Sequence, residues 1–141
     1  MDKIPEFVMN HPGLFVALAI ILAAMTAGPL IARLQGLNPI GPAQALGLMN
    51  HQDALVLDVR EDKEYEQGHI LGSKHLPLSK LADGLKKLKA DKSKPVIVVC
   101  NSGARSKSVC STLSKQDYAS VHNLTGGVTA WKGANLPLTT K

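Results

Sequence analysis

Four consecutive β-branched residues, Val96–Val99, constrain the fold of this chain more than any other feature. An apolar run without polar alternation is typical of a strand buried on both faces, as in a parallel sheet. The run ends at Cys100, and after a short polar loop residues 106–116 show the apolar spacing of a helix. The order strand, loop, helix indicates an α/β fold with Cys100 at the carboxyl end of a buried strand.

The loop after this strand has the composition of an anion-binding site. Ligands of open α/β sheets bind at the carboxyl ends of the strands, where backbone amides and the positive end of a helix converge. A thiol there loses its proton more readily, because amides and the helix dipole stabilise a thiolate. We therefore predict that Cys100 is a catalytic nucleophile, with a structural core thiol as the alternative. The predicted binding residues are Asn101, Ser102, Gly103, Ala104 and Arg105.

Gly103 and Arg105 have separate parts in this prediction. Gly103 permits a backbone turn with positive φ, so that successive amides can point inward as an anion nest. Arg105 adds a fixed positive charge that could orient an anionic donor. The pattern predicts neither a metal site nor an organic cofactor, because a thiolate held by amides needs no such group for nucleophilic attack.

Three further segments accompany the loop Cys100–Ser106 in a fixed order. They are Leu57–Glu61 with Glu64-Tyr65, Gly68–Pro77, and Gly126–Val128 with Trp131. Together the four segments resemble the single-domain rhodaneses, which are thiosulfate and persulfide sulfurtransferases. The resemblance implies a five-stranded parallel sheet flanked by helices and a persulfide intermediate on Cys100. It also implies a small sulfur donor, thiosulfate or a persulfide, and a thiol acceptor.

Two other functions stay open for the same residues. A cysteine-dependent phosphatase or arsenate reductase uses a similar cradle, but those loops resemble Cys-x5-Arg, whereas the spacing here is Cys100-x4-Arg105. A membrane-tethered interaction module could keep the fold and lose the chemistry. The intact Cys100, Gly103 and Arg105 favour the sulfurtransferase over the module.

Several other reactive residues are assigned structural roles. Asp58 and Arg60 follow a predicted strand, and we interpret them as a charged brace that fixes the next loop. His69 is interpreted as a hydrogen-bonded packing residue, since a thiol activated by amides requires no general base. Cys110 lies on the apolar stripe of the helix after the loop, and Trp131 is expected in the core.

Composition bounds the remaining possibilities. The chain has 141 residues, of which 45% are apolar, enough for one core of ordinary size. Two cysteines are too few for a disulfide framework. The net charge is +5, yet only two Phe, two Tyr and one Trp are present, so no aromatic platform accompanies the basic residues. The sequence therefore predicts no nucleic-acid partner.

The amino-terminal stretch Pro12–Ala32 carries no ionisable side chain. As a helix it would be roughly 31 Å long, enough to cross a bilayer core. It predicts a transmembrane anchor, with a cleaved signal peptide and a core helix as alternatives. An apolar segment followed by one such domain resembles the membrane-anchored bacterial rhodaneses of the YibN type. The predicted organisation is an anchor over residues 1–34, a linker over 35–41 and a rhodanese-like domain over 42–141.

The predicted location is the bacterial inner membrane, crossed once. Arg33 follows the apolar stretch and gives a faint preference for a cytoplasmic carboxyl side. A thiolate that cycles through a persulfide is also better kept in a reducing compartment. We therefore expect the catalytic domain in the cytoplasm, with a membrane-protein partner left unidentified.

Overall fold

The structure, a computed structural model, describes residues 9–34 and 37–141. The chain separates into two units, Met1–Gln35 and Gly36–Lys141. Helix α1, Pro12–Leu34, forms most of the described part of the first unit, as its apolar composition predicts. Over the described ranges, however, no helix has both the length and the apolar character needed to cross a membrane. The predicted transmembrane anchor is therefore not supported.

The second unit is built on a parallel sheet. Its strands are β1 (Asn38–Ile40), β2 (Leu55–Asp58), β3 (Lys74–His75), β4 (Val96–Val99) and β5 (Val121–Leu124). The five strands lie in the order β1-β5-β4-β2-β3, and each neighbouring pair is parallel. The predicted five-stranded parallel sheet is confirmed. Strand β1 falls within residues 35–41, the stretch interpreted as a linker, and pairs with β5.

Helices flank this sheet. They are α2 (Pro42–Gln52), α3 (Asp62–Glu66), α4 (Leu81–Lys87), α5 (Ala104–Ser114) and α6 (Gly127–Gly133), with a 3₁₀ turn over Leu78–Lys80. Strand β4 is buried on both faces because its side chains alternate between two apolar clusters. Val96 and Val98 pack in one cluster with Leu113 of α5, and Ile97 and Val99 pack in the other with Trp131 of α6.

Strand β4 is the central strand of the sheet, between β5 and β2, so Cys100 lies in the middle of the row formed by the carboxyl ends of the strands. The carboxyl ends of β2 and β4 lie side by side, since the Val59 amide donates to the Val99 carbonyl over 2.9 Å. Residues that follow either strand can therefore meet around Cys100. The helix α5 that continues from the loop packs against both β4 and β5.

Asp58 and Arg60 form the internal brace predicted for them. The Arg60 Nη2 lies 2.7 Å from the Asp58 Oδ2, and both side chains are almost completely buried. Arg60 also donates to the carbonyl oxygens of Glu64, at 3.1 Å, and Gly68, at 2.9 Å. These bonds hold both ends of the segment that contains α3 against the carboxyl end of β2.

The other structural assignments are also confirmed. His69 is buried, bonded to the carbonyl oxygen of Tyr65 over 3.1 Å and stacked on the Tyr65 ring at 3.7 Å. Trp131 is buried, and its Nε1 donates to the Pro137 carbonyl. Cys110 is fully buried in the cluster beneath α5, and this burial raises the pKa of its thiol to about 12. Such a thiol is inert at neutral pH.

Candidate active site

Cys100 is the first residue after β4, and its side chain is buried at the base of the loop. The Gly103 amide donates to the Cys100 Sγ over 3.0 Å, and the Ser106 hydroxyl donates to it over 3.4 Å. Among the predicted binding residues, Asn101, Ser102 and Ala104 are exposed, whereas Gly103 is buried. The sulfur thus lies inside a short ring of peptide with an exposed rim.

The conformation of Gly103 makes this ring possible. Gly103 has φ 87°, a left-handed conformation that side-chain-bearing residues rarely adopt. A Cβ atom there would also lie 3.0 Å from the Leu124 carbonyl oxygen and 3.1 Å from the Gly126 nitrogen. The turn at Gly103 lets α5 begin at Ala104, so Ala104 and Arg105 lie in the first turn of the helix rather than in a loop. The first turn of a helix is where its dipole favours an anion.

The segment Thr125–Gly127 packs directly behind the loop, since a Cβ atom on Gly127 would collide with the backbone of Cys100 and Asn101. The Val128 amide donates to the Cys100 carbonyl over 2.9 Å, and the Thr129 amide donates to the Asn101 carbonyl over 3.2 Å. Both donors belong to the first turn of α6, where backbone amides have no partner within the helix. The two carbonyls therefore point toward the first turn of α6.

A buried polar network supports the other side of the ring. The Asn123 Nδ2 donates to the Gly103 carbonyl over 3.2 Å, which directs the Asn123 Oδ1 toward the hydroxyl of Ser106. The single hydroxyl proton of Ser106 can be donated either to that oxygen or to the Cys100 Sγ, and both acceptors lie within hydrogen-bond distance. Asn123 and Ser106 are both buried, so their polar atoms depend on these contacts for partners. The network couples β5 to the position of the ring.

The pKa of Cys100 is lowered from its ordinary value by these contacts. Burial alone raises the pKa, since it disfavours the charged thiolate. The hydrogen bonds from the Ser106 side chain and from the backbone of Ser106, Ser102 and Gly103 outweigh that effect. The arrangement therefore favours a thiolate that could attack a sulfur atom.

Arg105 is bound to an acidic side chain from another segment. Its Nη1 donates to the Glu64 Oε2 over 2.8 Å, and its Nη2 donates to the Glu64 Oε1 over 2.6 Å. Both side chains are about one-third exposed, at 37% for Arg105 and 35% for Glu64. The Arg105 hydrogen bonds hold the pKa of Glu64 at about 2, so the pair is ionised at neutral pH. Sequence reasoning assigned no role at the site to Glu64 or to Asn123.

Comparison with known proteins identifies the family. The family model for the rhodanese-like domain matches residues 41–134. That range contains the sheet strands from β2 to β5 and all the residues described around Cys100. The chain belongs to the rhodanese-like domain family.

Three relatives show how far this likeness extends. The chain is similar to the uncharacterized protein YibN of Escherichia coli (strain K12), at 36% identity, with 98% of this chain and 97% of that protein covered. It is similar to the thiosulfate sulfurtransferase GlpE of Coxiella burnetii (strain RSA 331), at 39% identity over 66% of this chain and 85% of GlpE. The solved structure of the polysulfide-sulfur transferase homodimer of Wolinella succinogenes matches with a TM-score of 0.66 at 28% identity, covering 83% of this chain and 88% of that one. A general sulfurtransferase role is supported.

Proposed function

We propose that this protein moves sulfane sulfur from thiosulfate or a small persulfide to a thiol acceptor through a persulfide on Cys100. The observation that carries the proposal is the pair of donors around the sulfur, the Gly103 amide at 3.0 Å and the Ser106 hydroxyl at 3.4 Å. They stabilise the attacking thiolate, and the same ring of amides would hold the outer sulfur of a persulfide anion. The similarity to the thiosulfate sulfurtransferase GlpE supports this proposal.

The chemistry consists of two displacements on sulfur. The Cys100 thiolate attacks the outer sulfur of thiosulfate, the new S–S bond forms, and the donor S–S bond breaks with its electron pair leaving on sulfite. With a persulfide R–S–SH as donor, the leaving group is the thiolate RS⁻. An acceptor thiolate then attacks the outer sulfur of the Cys100 persulfide, and Cys100 leaves as a thiolate. No oxidant or reductant is consumed.

The binding residues proposed for the donor are those of the ring and its rim. The amides from Asn101 to Gly103 would cradle the transferred sulfur, and the exposed Ala104 leaves room for the donor to enter. Arg105 would face the donor at the rim, where its guanidinium is paired with the carboxylate of Glu64.

Intact-mass measurement of the full chain tests the proposal. Incubation with thiosulfate or a small persulfide should add the mass of one sulfur atom, and a later addition of acceptor thiol should remove it. Cys110→Ser should gain the sulfur as the unaltered chain does, because Cys110 is buried and its pKa is about 12. Cys100→Ser should gain none. A sulfur adduct on Cys100→Ser, or no adduct on the unaltered chain with either donor, would refute the assignment.

The same measurement separates the two rivals. A non-catalytic module would gain no sulfur from either donor. A phosphatase would gain none and would hydrolyse an aryl phosphate in a reaction that Cys100→Ser abolishes.

The location of the reaction is a separate proposal. A persulfide-forming thiol is preserved best where thiols stay reduced, so we propose that the domain works in the cytoplasm. An impermeant thiol reagent should then leave Cys100 unmodified in intact spheroplasts and modify it after lysis. Modification before lysis would place the domain on the other side of the membrane.

A further inference from the structure

The guanidinium of Arg105 is already occupied by a carboxylate. Each of its two terminal nitrogens donates to one oxygen of Glu64, at 2.8 Å and 2.6 Å. This fork-to-fork geometry is the strongest form of Arg–carboxylate pairing, and it uses the donors that would otherwise bind an incoming sulfonate or other oxyanion. A donor that needs Arg105 must therefore displace Glu64.

Glu64 is held in place by more than Arg105. Its Oε2 also accepts the Glu61 amide over 3.1 Å, which caps the first turn of α3. Its carbonyl oxygen accepts from Arg60, which is anchored on the buried Asp58. These bonds fix the position of the Glu64 carboxylate independently of Arg105. Formation of the ion pair therefore costs less conformational entropy than formation of an ordinary surface ion pair.

The net charge at the rim follows from this pair. Glu64 cancels the charge of Arg105, and its hydrogen bonds raise the pKa of the Arg105 guanidinium. Glu61 adds a smaller effect in the same direction. Attack on thiosulfate brings together three negative charges, one from Cys100 and two from the donor. Attack on a neutral persulfide R–S–SH involves only the charge of the thiolate. A rim with a neutralised arginine disfavours the first reaction more than the second.

We propose that Glu64 determines the donor class of this site, favouring persulfides of thiols over thiosulfate. This inference rests on the proposed function, since it concerns which donor forms the Cys100 persulfide. Glu64 acts through Arg105 and the local charge rather than by touching the transferred sulfur, so it is a specificity-determining, positioning residue.

Glu64→Gln in the full chain tests the proposal. Glutamine keeps the size of the side chain and an oxygen for the Glu61 amide, but it removes the negative charge and one acceptor of the Arg105 fork. The measurement is the second-order rate constant for Cys100 persulfide formation, followed by quenched intact-mass analysis. The two donors are thiosulfate and hydroxyethyl persulfide, in which the hydroxyethyl group carries no charge.

The expected result is a change in donor preference. The unaltered chain should react faster with hydroxyethyl persulfide than with thiosulfate. Glu64→Gln should raise the rate constant for thiosulfate by about tenfold and change that for the persulfide by less than about threefold. Added salt should slow the thiosulfate reaction of Glu64→Gln, because the freed charge of Arg105 is partly exposed.

Two control variants separate this effect from a loss of structure. Glu66→Gln removes the same charge from an exposed position of α3 and should leave both rate constants unchanged. Glu64→Asp keeps the charge and should keep the preference for the persulfide.

An equal loss with both donors in Glu64→Gln would show that Glu64 only holds the loop, and would overturn the inference. A thiosulfate rate constant equal to or above the persulfide rate constant in the unaltered chain would also overturn it, while leaving the proposed function intact. Absence of a Cys100 persulfide with either donor in every variant would refute the proposed function and the inference together.

Discussion

The backbone of Gly127 lies so close to the carbonyl group of Cys100 that a Cβ atom on Gly127 would stand 2.1 Å from the Cys100 oxygen. The same atom would lie 2.6 Å from the carbonyl carbon and oxygen of Asn101. The contact brings the first turn of α6 against the start of the loop, where the Val128 amide binds the Cys100 carbonyl. The shape of the sulfur ring therefore depends on a segment that contributes no side chain to it.

Gly127→Ala should destabilise the protein and prevent persulfide formation. Alanine would be forced into a left-handed conformation, at φ 56°, and its methyl group would collide with backbone rather than with a flexible side chain. We expect a loss of about 2 kcal/mol or more in the free energy of unfolding. Chemical denaturation measures the loss, and intact mass measures the sulfur adduct.

Gly133→Ala is the matched control for this substitution. Gly133 ends the same helix, and a Cβ atom there would meet nothing within 4 Å. Its stability and its persulfide formation should match those of the unaltered chain. If Gly127→Ala behaved like Gly133→Ala, the close packing of α6 on the loop would not matter for the site.

The buried brace gives a second prediction. Arg60→Met should leave the Asp58 carboxylate buried without its partner and release the carbonyl oxygens of Glu64 and Gly68. Breaking a buried ion pair from one side costs about 3–5 kcal/mol. Lys80→Met removes an exposed partner of Asp62, at 3.6 Å, and should leave the denaturation midpoint nearly unchanged. Equal effects of the two substitutions would contradict the structural role assigned to Arg60.

Local patterns predicted a buried strand of a parallel sheet and the place of Cys100 because both depend on residues adjacent in the chain, whereas the number of strands was implied by the resemblance to rhodaneses. Four consecutive apolar residues in Val96–Val99 place apolar side chains on both faces of the strand, so both faces must be buried. The residue after such a strand lies at the ligand-binding edge of a parallel sheet. The start of α5 was predicted at Ser106, two residues late. The apolar pattern did not show that Gly103 adopts a left-handed conformation and that the helix begins at the next residue.

Contacts between distant segments could not be predicted in the same way. Glu64 and Arg105 are 41 positions apart, and nothing in either local pattern shows that they form a pair. Asn123 offered a weak signal, since a polar residue in a buried strand needs a partner. The identity of that partner, Ser106, depends on the parallel pairing of β4 with β5, which brings the two segments together.

Cys110 gives a prediction about stability at alkaline pH. Its pKa in the folded protein, about 12, lies above the ordinary thiol value because burial opposes ionisation, with a smaller effect from the nearby Cys100. The folded state therefore keeps the proton where the unfolded state loses it, so the contribution to stability is complete below pH 9 and falls above it. We expect a loss of roughly 1 kcal/mol between pH 9 and pH 10 that Cys110→Ala lacks. Parallel pH dependences for the two proteins would contradict this placement of the thiol.

The hydroxyl of Ser106 should decide how easily Cys100 ionises. Ser106 has one proton, and both the Cys100 Sγ at 3.4 Å and the Asn123 Oδ1 can accept it. As the thiolate forms, donation to sulfur becomes the stronger bond, because the acceptor then carries a full charge. Ser106→Ala removes this donor and leaves the thiolate with the peptide amides alone, so the pKa of Cys100 should rise.

The pH profile of Cys100 alkylation by iodoacetamide measures this effect in the Cys110→Ser background, where one thiol remains. The midpoint should move to higher pH in Ser106→Ala, and the rate at pH 7 should fall by roughly three- to tenfold. Ser108→Ala is the control, because Ser108 is an exposed residue of α5 that donates to the Arg105 carbonyl instead of the sulfur. A profile of Ser106→Ala that coincides with that of Ser108→Ala would mean that the peptide amides alone hold the thiolate.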